Sequence, residues 1–358
     1  MAGSGVLIIA EVGVNHNGDL GRALALIDAA AEAGADAVKF QAFKAEALAT
    51  ADAPKAAYQV RQTGTGQSQA EMLRALELRP AAFRRIAEHC AAKRIEFMAT
   101  PFDEPSIDFL VSELGVRVLK VSSGDLTNGP LLLTMARRGL PIILSTGMSV
   151  IGEIREALGV MAFGMIGGLK PSHAAFQEAF SSPQGRSVLR EKVTLLHCTT
   201  EYPTQPRDVN LKAMDLIRGT FGLAVGYSDH TTGITVPIAA VARGAAVIEK
   251  HVTLDRSLPG PDHSASLEPH EFAAMVAAIR ETSQSLGSAE KVPTPAEIET
   301  AKVARRSLHA ACAVERGERF TSENLAARRP GTGRSPMAYW DVLGTMAGRK
   351  YRTNEPID

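Results

Sequence analysis

The stretch from Val247 to Asp255, VIEKHVTLD, combines the apolar residues of a buried β-strand with three polar residues, Glu249, Lys250 and His251. Burying such groups costs several kcal/mol unless partners or a bound metal satisfy them. The stretch is also the last of eight short apolar segments that alternate with helical patterns. It therefore predicts a strand whose polar end belongs to a functional site.

The eight apolar segments are joined by alanine-rich segments with helical periodicity. Continuous apolar strands connected by helices favour a parallel sheet that is buried on both faces. Eight repeats favour a TIM (β/α)8 barrel. The alternative, a doubly wound open sheet, has fewer strands and a Gly-rich first turn, whereas the first turn here is EVGVNHNGDLG. The segments are VLIIAEVG (6–13), AVKFQ (37–41), IEFMAT (95–100), VLKVSS (118–123), PIILST (141–146), VTLLHC (193–198), AVGYSD (224–229) and VIEKHVT (247–253).

The pattern changes after the last helical segment and predicts three regions. We assign a catalytic barrel to residues 1–286, a polar, proline-containing linker to 287–304 and a small C-terminal domain to 305–358. So short a domain is small for an independent core, and we expect it to dock on its own barrel or on a partner subunit. Segment 43–79 follows a strand and is expected to be an active-site loop, whereas 163–192 precedes a strand and is expected to be structural at the opposite face.

Composition excludes several classes of function. Lys plus Arg number 39 and Asp plus Glu number 39, so nothing in the charge balance indicates a nucleic-acid or membrane partner. The three cysteines are isolated, which argues against a disulfide framework and predicts a cytoplasmic protein. The first residues, MAGSGVLIIAEVG, lack a basic region and predict a strand rather than a signal peptide. No apolar run approaches the ~20 residues of a membrane span.

Polar residues end every predicted strand, at the edge of the barrel where TIM-barrel chemistry takes place. A satisfied structural polar group would explain any one of them but not all eight strand ends. The pattern therefore predicts a polar site at the barrel mouth. Its members are Glu11, Lys39, Gln41, Thr100, Lys120, Ser123, Thr146, His197, Thr199, Ser228 to His230, Glu249 and His251.

Two histidines, His230 and His251, end neighbouring strands and could share a metal ion. Two imidazoles with open positions suit Mn²⁺, with Mg²⁺ or Co²⁺ as alternatives, more than a structural Zn²⁺ with four protein ligands. The other interpretation is a pair of hydrogen-bonded core histidines. His197 is a weaker candidate, and His16 is expected to hold the structure of the first loop.

Two lysines, Lys39 and Lys120, lie inside apolar strands, and a buried ammonium group requires an anionic partner. That partner is either an internal carboxylate or a ligand. Lysines flanked by hydroxyl groups at strand ends suit a ligand that carries both a phosphate and a carboxylate. The candidate carboxylates are Glu11, Asp125, Asp229 and Glu249, and the hydroxyls are those of Thr100, Ser123 and Ser228.

Ten ordered motifs resemble those of the sialic acid synthases, the bacterial nonulosonic acid synthases that condense phosphoenolpyruvate with an N-acetylated amino sugar. They run from residue 8 to residue 336. The resemblance implies a TIM barrel followed by a small antifreeze-like (SAF) domain, which caps the active site of the other subunit in a domain-swapped homodimer. The motifs are IIAEVGVNHNGDL, AVKFQAFKA, ATPFD, LKVSSGD, ILSTGMS, LLHCTTEYPT, VGYSDHT, VIEKHVTLD, GPDHSASLEP and RRPGTGRSP.

The resemblance also implies roles for individual residues. The metal ligands are His230 and His251. The phosphoenolpyruvate contacts are Lys39, Thr100, Lys120, Ser123, Ser228 and Thr200, the last at a position where some members have Asn. The contacts to the amino sugar or the reacting centre are Glu11, Gln41, Tyr202, Glu249 and Asp262, with Arg329 delivered by the partner subunit.

The predicted activity is that of an N-acetylneuraminate synthase, a transferase that joins phosphoenolpyruvate, open-chain N-acetylmannosamine and water into sialic acid and phosphate by C–O cleavage. Glu11 is predicted to handle the proton transfer, with Glu249 bonding the sugar hydroxyls and supporting the metal. The alternative is a legionaminic acid synthase that uses 2,4-diacetamido-2,4,6-trideoxymannose. The stretch PGPDHSASL disfavours a pseudaminic acid synthase. More distant alternatives are a metal-dependent aldolase and a non-catalytic carbohydrate- or ice-binding protein.

Overall fold

The computed structural model describes residues 5–358, and the chain divides into two compact units, one ending at Gly287 and the other spanning Ser288–Asp358. Eight parallel strands in the first unit form one sheet in the order β3-β2-β1-β8-β7-β6-β5-β4. The edge strands β3 and β4 contact each other, so the sheet is a nearly closed barrel. The strands are β1 (Leu7–Gly13), β2 (Ala37–Ala42), β3 (Glu96–Pro101), β4 (Leu119–Val121), β5 (Ile142–Ser145), β6 (Val193–Cys198), β7 (Ala224–Asp229) and β8 (Val247–His251).

Helices follow the strands and cover the outside of the barrel, which confirms the predicted (β/α)8 architecture. No helix within residues 5–358 combines the length and the apolarity needed to cross a membrane. The helices of the first unit are α1 (Leu20–Glu32), α2 (Ala45–Leu48), α3 (Ala57–Thr63), α4 (Gln69–Leu76), α5 (Pro80–Lys93), α6 (Glu104–Asp108), α7 (Gly129–Arg137), α8 (Ile151–Met165), α9 (His173–Ser181), α10 (Pro183–Lys192), α11 (Ala213–Phe221), α12 (Thr235–Ala242) and α13 (Pro269–Leu286).

Helix α1 illustrates how the sequence produces the outer layer. Its buried residues, Ala23, Leu26, Ile27 and Ala30, follow the i, i+3, i+4, i+7 spacing of one helical face. The Asp19 side chain accepts a hydrogen bond from the Arg22 backbone N–H at 2.6 Å and begins the helix. The chain turns at Gly34, whose φ of +82° is the left-handed conformation that favours glycine, and then enters β2.

The two long segments that the sequence predicts as loops both contain helices. Segment 43–79 folds into α2, α3 and α4, which are short and joined by turns. Segment 163–192 contains α9 and α10, and both of these helices contact α8. The second segment thus adds a helical pair to the outer layer instead of forming an irregular loop.

The second unit contains helices α14 (Pro295–Ala304) and α15 (Tyr339–Val342) and an antiparallel pair of strands, β9 (Ser307–Ala310) and β10 (Leu325–Arg328). Helix α14 lies within the predicted linker. The expectation that the tail is too small for a core of its own is wrong, because apolar side chains from its whole length pack together. The buried members of this core are Leu308, Ala310, Val314, Phe320, Leu325, Val342, Ala347, Tyr351 and Ile357.

Candidate active site

The alternating direction of side chains along the barrel strands determines which residues face the site. Successive side chains of a strand point to opposite faces, so residues two apart share a face. One apolar cluster draws a single residue from each of six strands, and this cluster fills the barrel interior. The residue two positions further along each of these strands therefore also faces the interior, one layer closer to the C-terminal ends. The pairs are Ile9 and Glu11, Ala37 and Lys39, Met98 and Thr100, Ile143 and Ser145, Leu196 and Cys198, and Val247 and Glu249.

A cavity of about 430 Å³ lies above this apolar layer. It brings together nearly all of the residues that the sequence predicts for the site. Asp262 lies beside it, 4.0 Å from the Nδ1 atom of His251, whereas Arg329 belongs to the C-terminal unit. The predicted residues that line the cavity are Glu11, Lys39, Gln41, Thr100, Lys120, Ser123, Thr200, Tyr202, Ser228, His230, Glu249 and His251.

Glu249 lies between the two buried lysines. Its Oε2 atom is 3.8 Å from the Nζ atom of Lys39, and its Oε1 atom is 3.8 Å from that of Lys120. Ser228 donates a hydrogen bond to the same Oε1 at 3.0 Å. The Oε2 atom of a second carboxylate, Glu11, lies 2.5 Å from the Nζ atom of Lys39. The internal carboxylates thus compensate part of the positive charge of the two lysines.

Hydroxyl and carbonyl oxygens complete the surroundings of both ammonium groups. Lys39 donates to the hydroxyl of Thr100 at 3.2 Å, and Lys120 donates to the Ser145 hydroxyl at 2.6 Å and to the Val121 carbonyl at 2.9 Å. Burial lowers the pKa of Lys120, and the Glu249 charge only partly offsets this. For Lys39, burial lowers the pKa, but the charges of Glu11 and Glu249 outweigh it and raise the pKa overall. Lys39 is therefore the more firmly charged of the two.

The carboxyl groups differ in their ionisation. Burial raises the pKa of Glu11 to about 7, because it outweighs the opposing charge of Lys39 and is reinforced by the negative charge of Glu249. Glu249 is also buried, but Lys120 and Lys39 on either side hold its pKa below the ordinary value. Burial raises the pKa of Asp262 to about 6. Glu11 is therefore the carboxyl group poised to exchange a proton near neutral pH.

The two histidines face each other at the ends of β7 and β8. Their ring centroids are 5.5 Å apart with an interplanar angle of 52°. The Nδ1 atom of His230 lies 2.5 Å from the carbonyl oxygen of Thr199, and Tyr202 packs on the same ring with centroids 4.1 Å apart. Burial lowers the pKa of His230 to about 4 and that of His251 well below its ordinary value. Both imidazoles are therefore neutral at pH 7 and have lone pairs available.

The structure corrects three details of the predicted strand ends. Asp229 contacts Lys250 on the outer face of the sheet rather than Lys39 or Lys120, and Asp125 bonds to Ser122 instead. The imidazole of His197 also lies outside the cavity, where its Nε2 atom is 2.7 Å from the Val209 carbonyl oxygen. Asp229 and His197 are each one position out of phase with the inward-facing set, whereas Asp125 lies beyond the end of β4 in a short 3-10 turn.

The same phase relation identifies residues that the sequence analysis missed. Ser145, rather than its predicted neighbour Thr146, faces the cavity and bonds to Lys120, while the Thr146 hydroxyl donates to the Leu196 carbonyl. Cys198 lines the cavity with its Sγ atom 3.1 Å from the Ser123 hydroxyl. Each of the two lies two positions further along its strand than a member of the apolar layer, Ile143 or Leu196, and that layer is visible only in the tertiary structure.

Segment 43–79 contributes a wall of the cavity, as predicted for an active-site loop. Tyr58 of α3 stacks on Tyr202 with ring centroids 4.7 Å apart, and Gln59 and Gln69 line the same wall. Arg61 forms an ion pair with Glu201, which joins this segment to the loop that carries Tyr202. No periodicity in the sequence marks these residues, because they belong to short helices between turns.

Comparison with known proteins identifies the family. The NeuB family profile matches residues 26–291. The N,N'-diacetyllegionaminic acid synthase of Campylobacter jejuni is 44% identical over 351 residues, which cover 98% of each chain. That of Legionella pneumophila is 46% identical over 338 residues, which cover 94% of this chain and 89% of the relative.

A solved structure agrees with these sequence relatives. The N-acetylneuraminic acid synthetase of Leptospira borgpetersenii is 35% identical, with a TM-score of 0.66 over 83% of this chain and 90% of its own. The resemblance predicted from the ten motifs is thereby confirmed, as is the prediction of an enzyme over that of a non-catalytic binding protein. The chain belongs to the NeuB family and is a phosphoenolpyruvate-dependent synthase that forms a carbon–carbon bond.

Proposed function

We propose that the chain condenses phosphoenolpyruvate with open-chain 2,4-diacetamido-2,4,6-trideoxymannose and water, releasing N,N'-diacetyllegionaminic acid and phosphate. The support for this sugar is the identity of 44% and 46% to two legionaminic acid synthases, which exceeds the 35% to the sialic acid synthetase. This sugar is the alternative that the sequence predicts, and the comparisons favour it over the N-acetylmannosamine of the main prediction. N-acetylmannosamine remains the second candidate.

The arrangement of Lys39, Lys120 and Glu249 is the observation that carries the proposal. Two buried ammonium groups 3.8 Å from opposite oxygens of one carboxylate provide two separate anion sites in a single cavity. Phosphoenolpyruvate has two anionic ends, a phosphate and a carboxylate, and each ammonium group would hold one of them. Buried charge-assisted hydrogen bonds of this kind fix the orientation of a ligand as well as its affinity. The cavity also presents hydroxyl groups for the remaining oxygens, among them those of Thr100, Ser123, Ser145 and Ser228.

His230 and His251 fit a divalent metal ion, and we propose Mn²⁺ as the natural occupant. The Nδ1 atom of His251 is buried without a hydrogen-bond partner, and the Nε2 atom of His230 is opposite the nitrogen that contacts Thr199. Among residues 5–358, no group of three or more His, Cys, Asp or Glu side chains is arranged to hold a metal. Two protein ligands leave positions for substrate oxygens and water. When bound, the ion supplies Lewis-acid polarisation of the sugar aldehyde.

The residues of the chain then account for the remaining chemistry. Lys39 and Lys120 hold phosphoenolpyruvate so that its methylene carbon attacks the aldehyde carbon, which forms the new C–C bond. Positive charge develops at the enol carbon, and water adds there. Glu11, with its pKa near 7, accepts the proton of this water at neutral pH. The tetrahedral intermediate loses its hydroxyl proton and collapses to the keto acid by breaking its C–O bond to phosphate, which leaves with the electron pair. Of the two protons of the added water, one goes to the former aldehyde oxygen, which becomes a hydroxyl group, and the other goes to the departing phosphate.

A comparison of two sugars tests the proposed substrate. Phosphate release from phosphoenolpyruvate is measured with 2,4-diacetamido-2,4,6-trideoxymannose and with N-acetylmannosamine in parallel. We expect kcat/KM for the diacetamido sugar to be at least about tenfold higher, since a site built to bond an added polar group discriminates strongly against an analogue that lacks it. A preference for N-acetylmannosamine would restore the second candidate, and the 4-epimeric diacetamido sugar serves as a stereochemical control.

We also propose that the C-terminal unit is an antifreeze-like domain that caps the site of a partner subunit in a domain-swapped homodimer. Arg329 is exposed, and among residues 5–358 no ion pair involves its side chain. An exposed guanidinium group is free to meet an amide oxygen of a bound acetamido sugar on another subunit. The resemblance of RRPGTG to the family motif supports the same role.

Arg329→Ala tests the cap. We expect KM for the sugar to rise about 10-fold or more and the affinity for phosphoenolpyruvate to stay unchanged, because one charge-assisted hydrogen bond to the sugar is lost. Arg349→Ala is the matched control, since Arg349 is engaged with Asp358 and Glu355 of its own unit. Mixing Arg329→Ala subunits with His251→Ala subunits should restore activity above that of either variant, because a swapped heterodimer contains one intact site. Equal loss for both substrates, or no restoration, contradicts the cap.

A further inference from the structure

A fully buried ion pair lies on the outer face of β7 and β8, directly beside the two cavity histidines. The Nζ atom of Lys250 is 2.6 Å from the Oδ2 atom of Asp229, and neither side chain has any solvent exposure. Asp229 immediately precedes His230, and Lys250 immediately precedes His251. Alternation along the strands therefore places the pair behind the cavity and the histidines in it.

Thr231 follows His230 in the chain, and each of its polar groups forms a hydrogen bond with Asp229 or Lys250. The Oδ1 and Oδ2 atoms of Asp229 accept from the Thr231 backbone N–H at 3.0 Å and from its hydroxyl at 3.1 Å. Lys250 donates to the Thr231 carbonyl. Thr204, which forms a β-bridge with Thr231, donates its backbone N–H to the His230 carbonyl at 2.8 Å. His230 thus lies between Asp229 and Thr231, and both of these residues are fixed to Lys250 on the neighbouring strand.

Stability alone does not explain an ion pair at this place. Removing two charges from water costs several kcal/mol per ion, and apolar residues of similar volume in their place are often neutral or stabilising. The surrounding helix-facing layer is built mainly from apolar residues such as Val225 and Ile248. Unlike apolar packing, a directional ionic network fixes one register between the ends of the two strands.

We propose that Asp229, Lys250 and Thr231 are positioning residues that set the spacing and orientation of His230 and His251 for a divalent metal ion. The inference rests on the proposed function, since that function places the metal on these two histidines. The backbone of each histidine is tied to the other through the ion pair, so a change at the pair shifts one imidazole relative to the other. Outer groups that orient metal ligands commonly change metal affinity by about 10–100-fold when they are removed.

The test is an electron paramagnetic resonance titration of Mn²⁺ with metal-stripped full-length protein. The main variant, Asp229→Asn with Lys250→Met, removes both charges together and leaves no unpaired buried ion. A second variant, Thr231→Val, keeps the ion pair and the volume and removes only the hydroxyl bond. We expect a Kd for Mn²⁺ about 10–100-fold weaker in the first and a smaller weakening in the second, with native circular dichroism in both.

A control ion pair, which is partly exposed, separates positioning from stability. Asp36 and Arg280 form an ion pair at 2.6 Å at the opposite end of the barrel, where Asp36 also accepts from the Ile8 backbone N–H. Asp36→Asn with Arg280→Met should lower the thermal midpoint and leave the Kd for Mn²⁺ unchanged. Equal weakening of Mn²⁺ binding in this control overturns the inference. Unchanged Mn²⁺ binding in both Thr231→Val and the folded double variant overturns it as well.

The wild-type titration distinguishes this inference from the function on which it rests. If the wild type binds no Mn²⁺, the proposed metal site fails and the positioning role fails with it. If the wild type binds Mn²⁺ and the folded variants bind it equally well, the metal site stands and only the positioning role is wrong. If the charge-free double variant does not fold, Thr231→Val decides the question, and unchanged Mn²⁺ affinity in that variant overturns the inference.

Discussion

Alanine at His230 or at His251 is expected to reduce kcat about 10³-fold and to abolish activation by divalent ions. The two imidazoles are neutral and face each other in the cavity, and one has a buried nitrogen without a hydrogen-bond partner. Lewis-acid stabilisation is worth several kcal/mol, and each 1.4 kcal/mol is a factor of ten in rate. Phosphate release is measured with Mn²⁺ added and in the presence of a chelator.

His173→Ala is the control for these variants, because His173 is exposed on α9 and its ring is hydrogen-bonded to Gln177, away from the cavity. It should match the wild type in turnover and in the response to Mn²⁺. Thermal unfolding of each variant separates loss of the metal from loss of the fold. Full activity of either histidine variant in chelator would mean that the imidazoles have only a structural role.

Methionine at Lys39 or at Lys120 is expected to weaken phosphoenolpyruvate binding about 10–100-fold, since each change removes charge-assisted hydrogen bonds worth about 1.5–3 kcal/mol. Methionine keeps most of the side-chain volume without the charge. Removing Lys39 also leaves Glu11 and Glu249 buried with less compensation, so the pKa of both carboxyl groups should rise. Calorimetric titration with phosphoenolpyruvate measures the affinity directly and avoids contributions from later steps.

Lys93→Met provides the comparison, because Lys93 is exposed on α5 and its ion pair within residues 5–358 is with Asp28. Its affinity for phosphoenolpyruvate should equal that of the wild type. The competing interpretation is that the two lysines serve internal ion pairs alone. In that case the Lys39 and Lys120 variants would lose thermal stability and bind phosphoenolpyruvate normally.

The mouth of the barrel shows how far sequence patterns reach. Eight apolar segments that alternate with helical patterns are enough to specify a parallel barrel, because strands buried on both faces must be apolar throughout and helices must cover them. In a parallel barrel the C-terminal ends of all strands meet, so the polar residues Lys39, Lys120, His230 and His251 were predicted to converge. The structure brings them into one cavity.

The sequence did not determine which polar neighbours face inward. Thr146 and His197 were predicted for the site, but Ser145 and Cys198 occupy the inward positions. A shift of one residue moves a side chain to the opposite face of the sheet, and apolar runs that are buried on both faces do not reveal their phase. Only the apolar interior layer, which is visible in the tertiary structure, defines that phase.

The stretch VIEKHVTLD by itself determined that a buried strand ends in charged residues that need partners. The tertiary structure decided the partners: Glu249 faces Lys39 and Lys120 in the cavity, while Lys250 faces Asp229 behind it. The physical reason is that the free-energy cost of burying a charged side chain follows from its residue type, which can be read along the chain. The groups that offset this cost are atoms of other strands. Those atoms are adjacent only once the barrel has closed around them.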